Sequence, residues 1–281
     1  MKQVIVAIDF SKTSINALAF GIHLANKAKA DVQMVWVDNT TSEEAVFEGA
    51  YEDRNEKVAM LKELQDKYAK NLKNGKLDYK TRKGKVYIEV AQQAKSVNAD
   101  LIIAGTHGIS GFEEFWIGSN AYRIVTNAPC PVITLRHDFK GGDIKKIVIP
   151  IDSSQETRQK IPVASQVAAL FNSEIHVLSL YSTSLRSVQK RVDNYAKHVT
   201  DYFAERNIKY AAITRESDNI TRTTIDYAEE IGADLIAIMT EQETTTANLF
   251  LGPYAQQIVN HSPVPVLSMR AKELVSITTG V

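Results

Sequence analysis

Three glycines and a serine between residues 101 and 136 carry the plainest chemical signal in this chain. The segment LIIAGTHGISGFEEFWIGSNAYRIVTNAPCPVITLR reads as an apolar strand, a glycine-rich loop, a short helix and a second strand. Gly105, Gly108 and Gly118 leave backbone amides unshielded, and Ser119 adds a hydroxyl where the helix starts. Unshielded amides beside the positive end of a helix suit phosphate oxygens. Residues 235–270 repeat the layout without most of these groups.

Positioning that loop requires a sheet, and the preceding sequence supplies one. Apolar runs at 4–8, 32–37, 77–81, 101–104 and 132–135 predict five strands. Helical spacing predicts helices at 14–29, through Val58, Leu61, Tyr68 and Leu72, at 86–96 and at 119–127. Strand and helix in alternation give a doubly wound parallel sheet, and strands with little polar alternation are covered on both faces. Ligands of such sheets lie beyond the carboxyl ends of the strands. Asp9 ends the first strand, Val37 the second, and Gly105 follows the fourth. Asp9 there can accept from a ribose hydroxyl or a base amine; alternatively, with Ser11, it caps the following helix.

The chain then repeats itself. KQVIVAIDFS from residue 2 matches KKIVIPIDSS from residue 145, pairing Asp9 with Asp152 at an offset of 143. NADLI matches GADLI, pairing Asp100 with Asp234 at 134, and Pro129 and Pro131 match Pro263 and Pro265. The second copy is therefore shorter between Asp38 and Gly84, and HDFKGGD at 137–143 is the expected boundary.

The pattern G-x2-G-x9-G-S, with GTHGISG, APCPV and IPIDSS, resembles the universal stress protein family over nearly the whole chain, as two tandem copies. That resemblance implies an α/β fold of two tandem doubly wound domains (1–138 and 144–281), each a five-stranded parallel sheet in the order 3-2-1-4-5 with helices on both faces. It also implies ATP or AMP as ligand, with magnesium as a companion. Ile8, Asp9, Ser11 and Val37 would hold adenine and ribose, and Ala104 and Gly105 would contact the nucleoside through main chain. Gly108, Gly118, Ser119 and Asn120 would receive phosphates, with His107 beside them. Ile109 departs from the arginine many members carry, which removes a cation from the phosphates. The last strand builds the dimer in the family, so the two copies are expected to pair within one chain, a homodimer remaining open.

In the second copy Met239, Gln242 and Pro253 replace Gly105, Gly108 and Ser119, while Gly252 keeps the place of Gly118. Met239 would fill ribose space, Pro253 lacks an amide hydrogen, and Glu241 and Glu243 would repel phosphate. This copy is expected to bind no nucleotide. Cys130 and the tryptophans Trp36 and Trp116 read as packed or rim residues.

Composition narrows the classes. With 33 basic and 33 acidic residues there is no charge excess for nucleic acid, and no apolar run approaches a membrane span. A single cysteine leaves no internal disulfide or thiolate cluster, and a soluble cytoplasmic protein is expected. P-loop, dinucleotide-fingerprint and SGGxDS-type loops are missing, so an enzyme is not expected. Slow hydrolysis would call on Asp38 or Glu113; a tandem protein with a purely structural role is the remaining alternative.

Overall fold

The computed structural model describes residues 1–39, 49–106, 119–136, 138–139, 141–240 and 252–271, the side chains of 49–53 excepted. The first half runs β1 (Gln3–Ile8), α1 (Lys12–Ala28), β2 (Asp31–Asp38), α2 (Gly49–Ala69), β3 (Leu77–Lys83), α3 (Val86–Ser96), β4 (Leu101–Gly105), α4 (Ser119–Asn127) and β5 (Val132–Leu135). The second runs β6 (Lys146–Ile151), a 3-10 turn (Gln155–Arg158), α5 (Ile161–Phe171), β7 (Glu174–Tyr181), α6 (Arg186–Glu205), β8 (Tyr210–Glu216), α7 (Ile220–Glu230), β9 (Leu235–Met239), α8 (Pro253–His261) and β10 (Val266–Met269).

These strands form one sheet in the order β3-β2-β1-β4-β5-β10-β9-β6-β7-β8. Each half therefore has the 3-2-1-4-5 order, all parallel, with Val4 opposite both Val32 and Leu101. Among the described residues, the one antiparallel ladder joins the halves, with Ile133 opposite Leu267.

Pleating divides the core into two layers. Val4, Val6 and Ile8 point to the α1 side, while Ile5 points to the α3 and α4 side. Burial of Val4, Ile5 and Val6 at 0% exposure explains why β1 reads as a continuous apolar run. Gly21 lets α1 lie close to that strand, since a β-carbon there would meet Val6 Cγ2 at 2.9 Å.

The repeated aspartates fasten the sheet at its other end. Asp100 Oδ2 accepts the amides of Lys2 (2.5 Å) and Gln3 (3.0 Å), and Asp234 Oδ2 those of Lys145 (2.7 Å) and Lys146 (2.9 Å). A strand-to-helix contact is conserved in place but not in chemistry: Gln93 donates to Gln33 at 2.6 Å, and Tyr227 meets His176 at 2.8 Å at the matching positions. Across the seam, Arg136 donates to the Asn260 carbonyl at 3.0 Å, and His23 lies 2.7 Å from Asp143.

Candidate functional site

The site begins where β1 turns into α1. Ser11 is the N-cap, its Oγ accepting the Ser14 amide at 3.2 Å. Asp9 Oδ1 accepts both the amide (3.0 Å) and the hydroxyl (2.6 Å) of Ser11. The alternative of Asp9 as the cap is thus corrected: it braces the capping serine from outside the helix, which starts at Lys12 rather than at residue 14. Both bonds use Oδ1, which leaves Oδ2 as an acceptor. Asp152 repeats the brace on Ser154, at 2.9 and 2.5 Å.

Between the brace and the cap sits Phe10 at φ 64, a left-handed backbone that costs a non-glycine residue roughly 1–2 kcal/mol. Its ring centroid is 6.4 Å from that of Trp36, and the Lys57 ammonium of α2 lies 5.8 Å from it. Asp38, at 7% exposure, ends β2 beside these residues, with Arg54 Nη1 at 4.0 Å from its Oδ2.

A cleft of about 450 Å3 opens above the carboxyl ends of β1, β2 and β4, within the range of small-molecule sites. Val37, Ala104, Val86, Val90 and Ile124 give it an apolar wall, and Asp9, Ser14, Thr106, Ser119 and Asn120 its polar edge. Of the residues expected from the sequence, Ile8, Asp9, Val37, Ala104, Gly105, Ser119 and Asn120 border this space together. Ser11 belongs to the helix cap instead. His107, Gly108 and Gly118 lie outside the described residues, as do Ile109, Glu113 and Trp116.

The cleft also takes in Phe10, Trp36, Asp38, Asn39 and Lys57. For Asp38 and Asn39 a signal existed, since they follow Val37 directly. Lys57 stands on a helix whose rotation the sequence does not fix, and nothing in the residue types announced the backbone of Phe10.

Gly105 borders the cleft and also meets a packing demand. A β-carbon there would sit 2.7 Å from Thr13 Cγ2 and 3.1 Å from Thr13 Cβ. Thr13, at 4% exposure, is packed into the first turn of α1, so this glycine serves the approach of helix to strand. At Met239 the second half has a side chain, and there the helix start is rebuilt: Glu156, the counterpart of Thr13, lies in a 3-10 turn and α5 begins only at Ile161.

That rebuilt turn contains Lys160, at 2% exposure, where the first half has Ala17. Its ammonium donates to the Thr157 carbonyl (2.5 Å) and hydroxyl (3.1 Å). Burial pulls its pKa from 10.5 to about 8, against the opposing pull of the Asp152 charge. Tyr254 stands at the position of Asn120 and reaches Thr224, at the position of Val90, with 3.4 Å between their oxygens. Burial raises the Tyr254 phenol, Thr224 next to it lowers it, and the Asp152 charge raises it. Leu180, Ile238 and Met239, each at 3% exposure or less, occupy the places of Val37, Ala104 and Gly105. Met239 is buried, Pro253 starts α8, and Tyr254 is the larger side chain at these matched positions. Gln242, Glu241 and Glu243 lie outside the described residues.

Two remaining features are not strand-end sites. A groove of about 430 Å3 lies between α7 and α8, lined by helix surfaces such as Asn219, Asp226 and Gln256. Cys130 is half-buried, and burial, with a smaller push from Asp100, raises its thiol to about 12, so it is an unreactive packed residue. Among the described residues no cluster of three His, Cys, Asp or Glu is placed to hold a metal, and no helix is long and apolar enough to cross a membrane.

Known proteins resemble the chain both half by half and as a whole. Universal stress protein MJ0531 of Methanocaldococcus jannaschii is 26% identical over 148 residues, covering 50% of this chain and 84% of its own. Universal stress protein YxiE of Bacillus subtilis is 29% identical over 147 residues, covering 48% and 98%. The crystal structure of a universal stress protein from Archaeoglobus fulgidus DSM 4304 shares the fold along 96% of this chain and 98% of its own, with a TM-score of 0.78 at 17% identity. The model of the universal stress protein family matches twice, at residues 1–136 and 143–270, and so the chain belongs to that family, with two copies in tandem.

Proposed function

We propose that the first half binds an adenine nucleotide, ATP or AMP, in the cleft above β1, β2 and β4, and that the second half is its structural partner. The observation that carries this reading is the contrast between two matched places. One is a cleft of about 450 Å3 bordered by Asp9, Val37, Gly105, Ser119 and Asn120. At the other, Tyr254 at the place of Asn120 meets Thr224 at the place of Val90.

The residues present fit such a ligand. The apolar wall suits a planar base, and Asp9 Oδ2 suits a ribose hydroxyl. The start of α4 at Ser119 presents amides and a hydroxyl to an anion. Gly108 and Gly118 supply the rest of the family's loop pattern. Magnesium would travel with the phosphates rather than in a protein carboxylate cage. Turnover would be slow, because Asp38, which lines the cleft with Asp9, lies 4.0 Å from Arg54 Nη1 instead of being poised to activate water. Occupancy would act as a signal read by other proteins, in the cytoplasm.

Calorimetric titration of the intact protein with ATP and AMP, with and without magnesium, tests the reading. One site per chain is expected, lost in Gly108→Gln, a change copied from the second half. Heat that survives this substitution, or two sites per chain, would place the ligand elsewhere.

A further inference from the structure

We infer that the second half carries an acid-sensitive latch: His176 on β7 holds α7 through Tyr227 while its imidazole is neutral, and protonation of that imidazole loosens the helix. The first half has an amide pair at the matched contact and so lacks the device.

Nδ1 of His176 lies 2.8 Å from the Tyr227 hydroxyl. The histidine is 8% exposed, and its Nε2 is buried with no hydrogen-bond partner among the described residues. The Glu174 carboxylate stands 3.6 Å from Nε2, close enough to favour the hydrogen on that nitrogen but too far to bond it. With the hydrogen on Nε2, Nδ1 accepts from the phenol. Burial, and after it the Glu230 charge, raises the Tyr227 phenol, so Tyr227 keeps its hydrogen.

A second proton on the ring must therefore go to Nδ1, where the phenol hydrogen already points. The hydroxyl has to turn away, and a buried site has to carry a charge. Around the ring stand Lys146 on β6, Glu174 on the same strand, Arg215 on β8, and Tyr227 and Glu230 on α7. The Lys146 ammonium donates to the Ile231 carbonyl at 2.7 Å, and Arg215 pairs with Glu230 at 3.3 Å while lying 5.7 Å from the Tyr227 ring. Burial lowers the His176 pKa, Glu174 raises it and Lys146 lowers it, with a downward net result.

The latched ring thus holds a proton more weakly than a released one. The latch is at full strength above the ordinary histidine value of 6.5 and weakens as pH falls below it. At the matched positions Gln93 donates to Gln33 at 2.6 Å, a bond between neutral amides that carries no such dependence. Because α7 also presents Thr224 to Tyr254 at 3.4 Å, the helix that acid loosens is the one that meets Tyr254.

The test is amide hydrogen exchange on the intact protein, comparing protection of α7 with that of α3 between about pH 7 and about pH 5. Relative to α3, α7 should lose protection about fivefold, and His176→Gln should abolish that difference. Glu174→Gln, at a half-exposed position, removes a charge that favours the imidazolium and should move the loss to lower pH. NMR titration of the wild-type ring, assigned through its contact with Tyr227, should place His176 below the ordinary value. Lys160, which releases its proton near a pH of about 8, stays an ammonium across this range. Parallel loss from α7 and α3, a loss that persists in His176→Gln or does not shift in Glu174→Gln, or a ring that titrates at or above 6.5, would overturn the inference.

Discussion

The phenol oxygen of Tyr254 lies 3.4 Å from the hydroxyl oxygen of Thr224, at the positions matched in the first half by Asn120 and Val90, which both line its cleft. At matched positions, asparagine to tyrosine and valine to threonine thus replace two cleft-lining residues by a pair in contact. At 3.4 Å the contact is a weak hydrogen bond, so the ring and not the hydroxyl supplies most of the effect. Tyr254→Phe should cost less than about 1 kcal/mol in denaturant unfolding. Tyr254→Ala should cost about 3 kcal/mol, and phenol should recover part of that loss in the variant but not in wild type. Failure of phenol to raise the melting temperature of the alanine variant would mean the ring is not filling a ligand-sized space.

Asp9 and Asp152 offer a matched pair for separating structure from binding. Each accepts from the amide and hydroxyl of a serine two residues on. Asp9→Ala and Asp152→Ala should each lower stability by about 1–2 kcal/mol. Only Asp9→Ala should also weaken nucleotide, by about tenfold in titration. Equal effects on binding would assign both aspartates to structure alone.

Gly105 and Thr13 should behave as a coupled pair. Gly105→Ala pushes a methyl to 2.7 Å from Thr13 Cγ2 and should destabilise by about 1–3 kcal/mol. Adding Thr13→Ser removes that methyl and should return part of the loss, measured as a non-zero coupling in a double-mutant cycle. Strict additivity would show that the helix moves instead.

Lys160 sets the sign of a pH effect. Its folded pKa, about 8, lies below the ordinary 10.5, so between these values the unfolded chain holds a proton that the folded chain has released. Stability from this group therefore rises as pH climbs from about 8 to about 10.5, and the penalty is fully present below 8. The stability of wild type relative to Lys160→Met should increase across that window by up to about 3 kcal/mol. A difference that is flat or falls with pH would indicate an ammonium stabilised by Asp152 more than it is penalised by burial.

Much of this architecture was legible because its signals are local. The β1 run, the α3 span of 86–96 and the α4 span of 119–127 follow from apolar spacing and glycine positions alone. The strand order and the family followed from the repeat and the loop pattern. Less legible were the contacts made between distant segments. Gly105 borders the cleft, but the packing demand from Thr13, 92 residues earlier, was not visible in the sequence. Met239 was visible as a plug, yet Tyr254 was not, because helix phase decides that its ring crosses toward Thr224. Lys57 escaped notice for the same reason, and the backbone of Phe10 reflects packing rather than residue preference.

The antiparallel ladder between β5 and β10 has a spatial consequence. Parallel strands within each half, joined tail against tail, aim their carboxyl ends toward opposite margins of the sheet. The strand ends beside Asp9 and those beside Asp152 consequently face contrary directions.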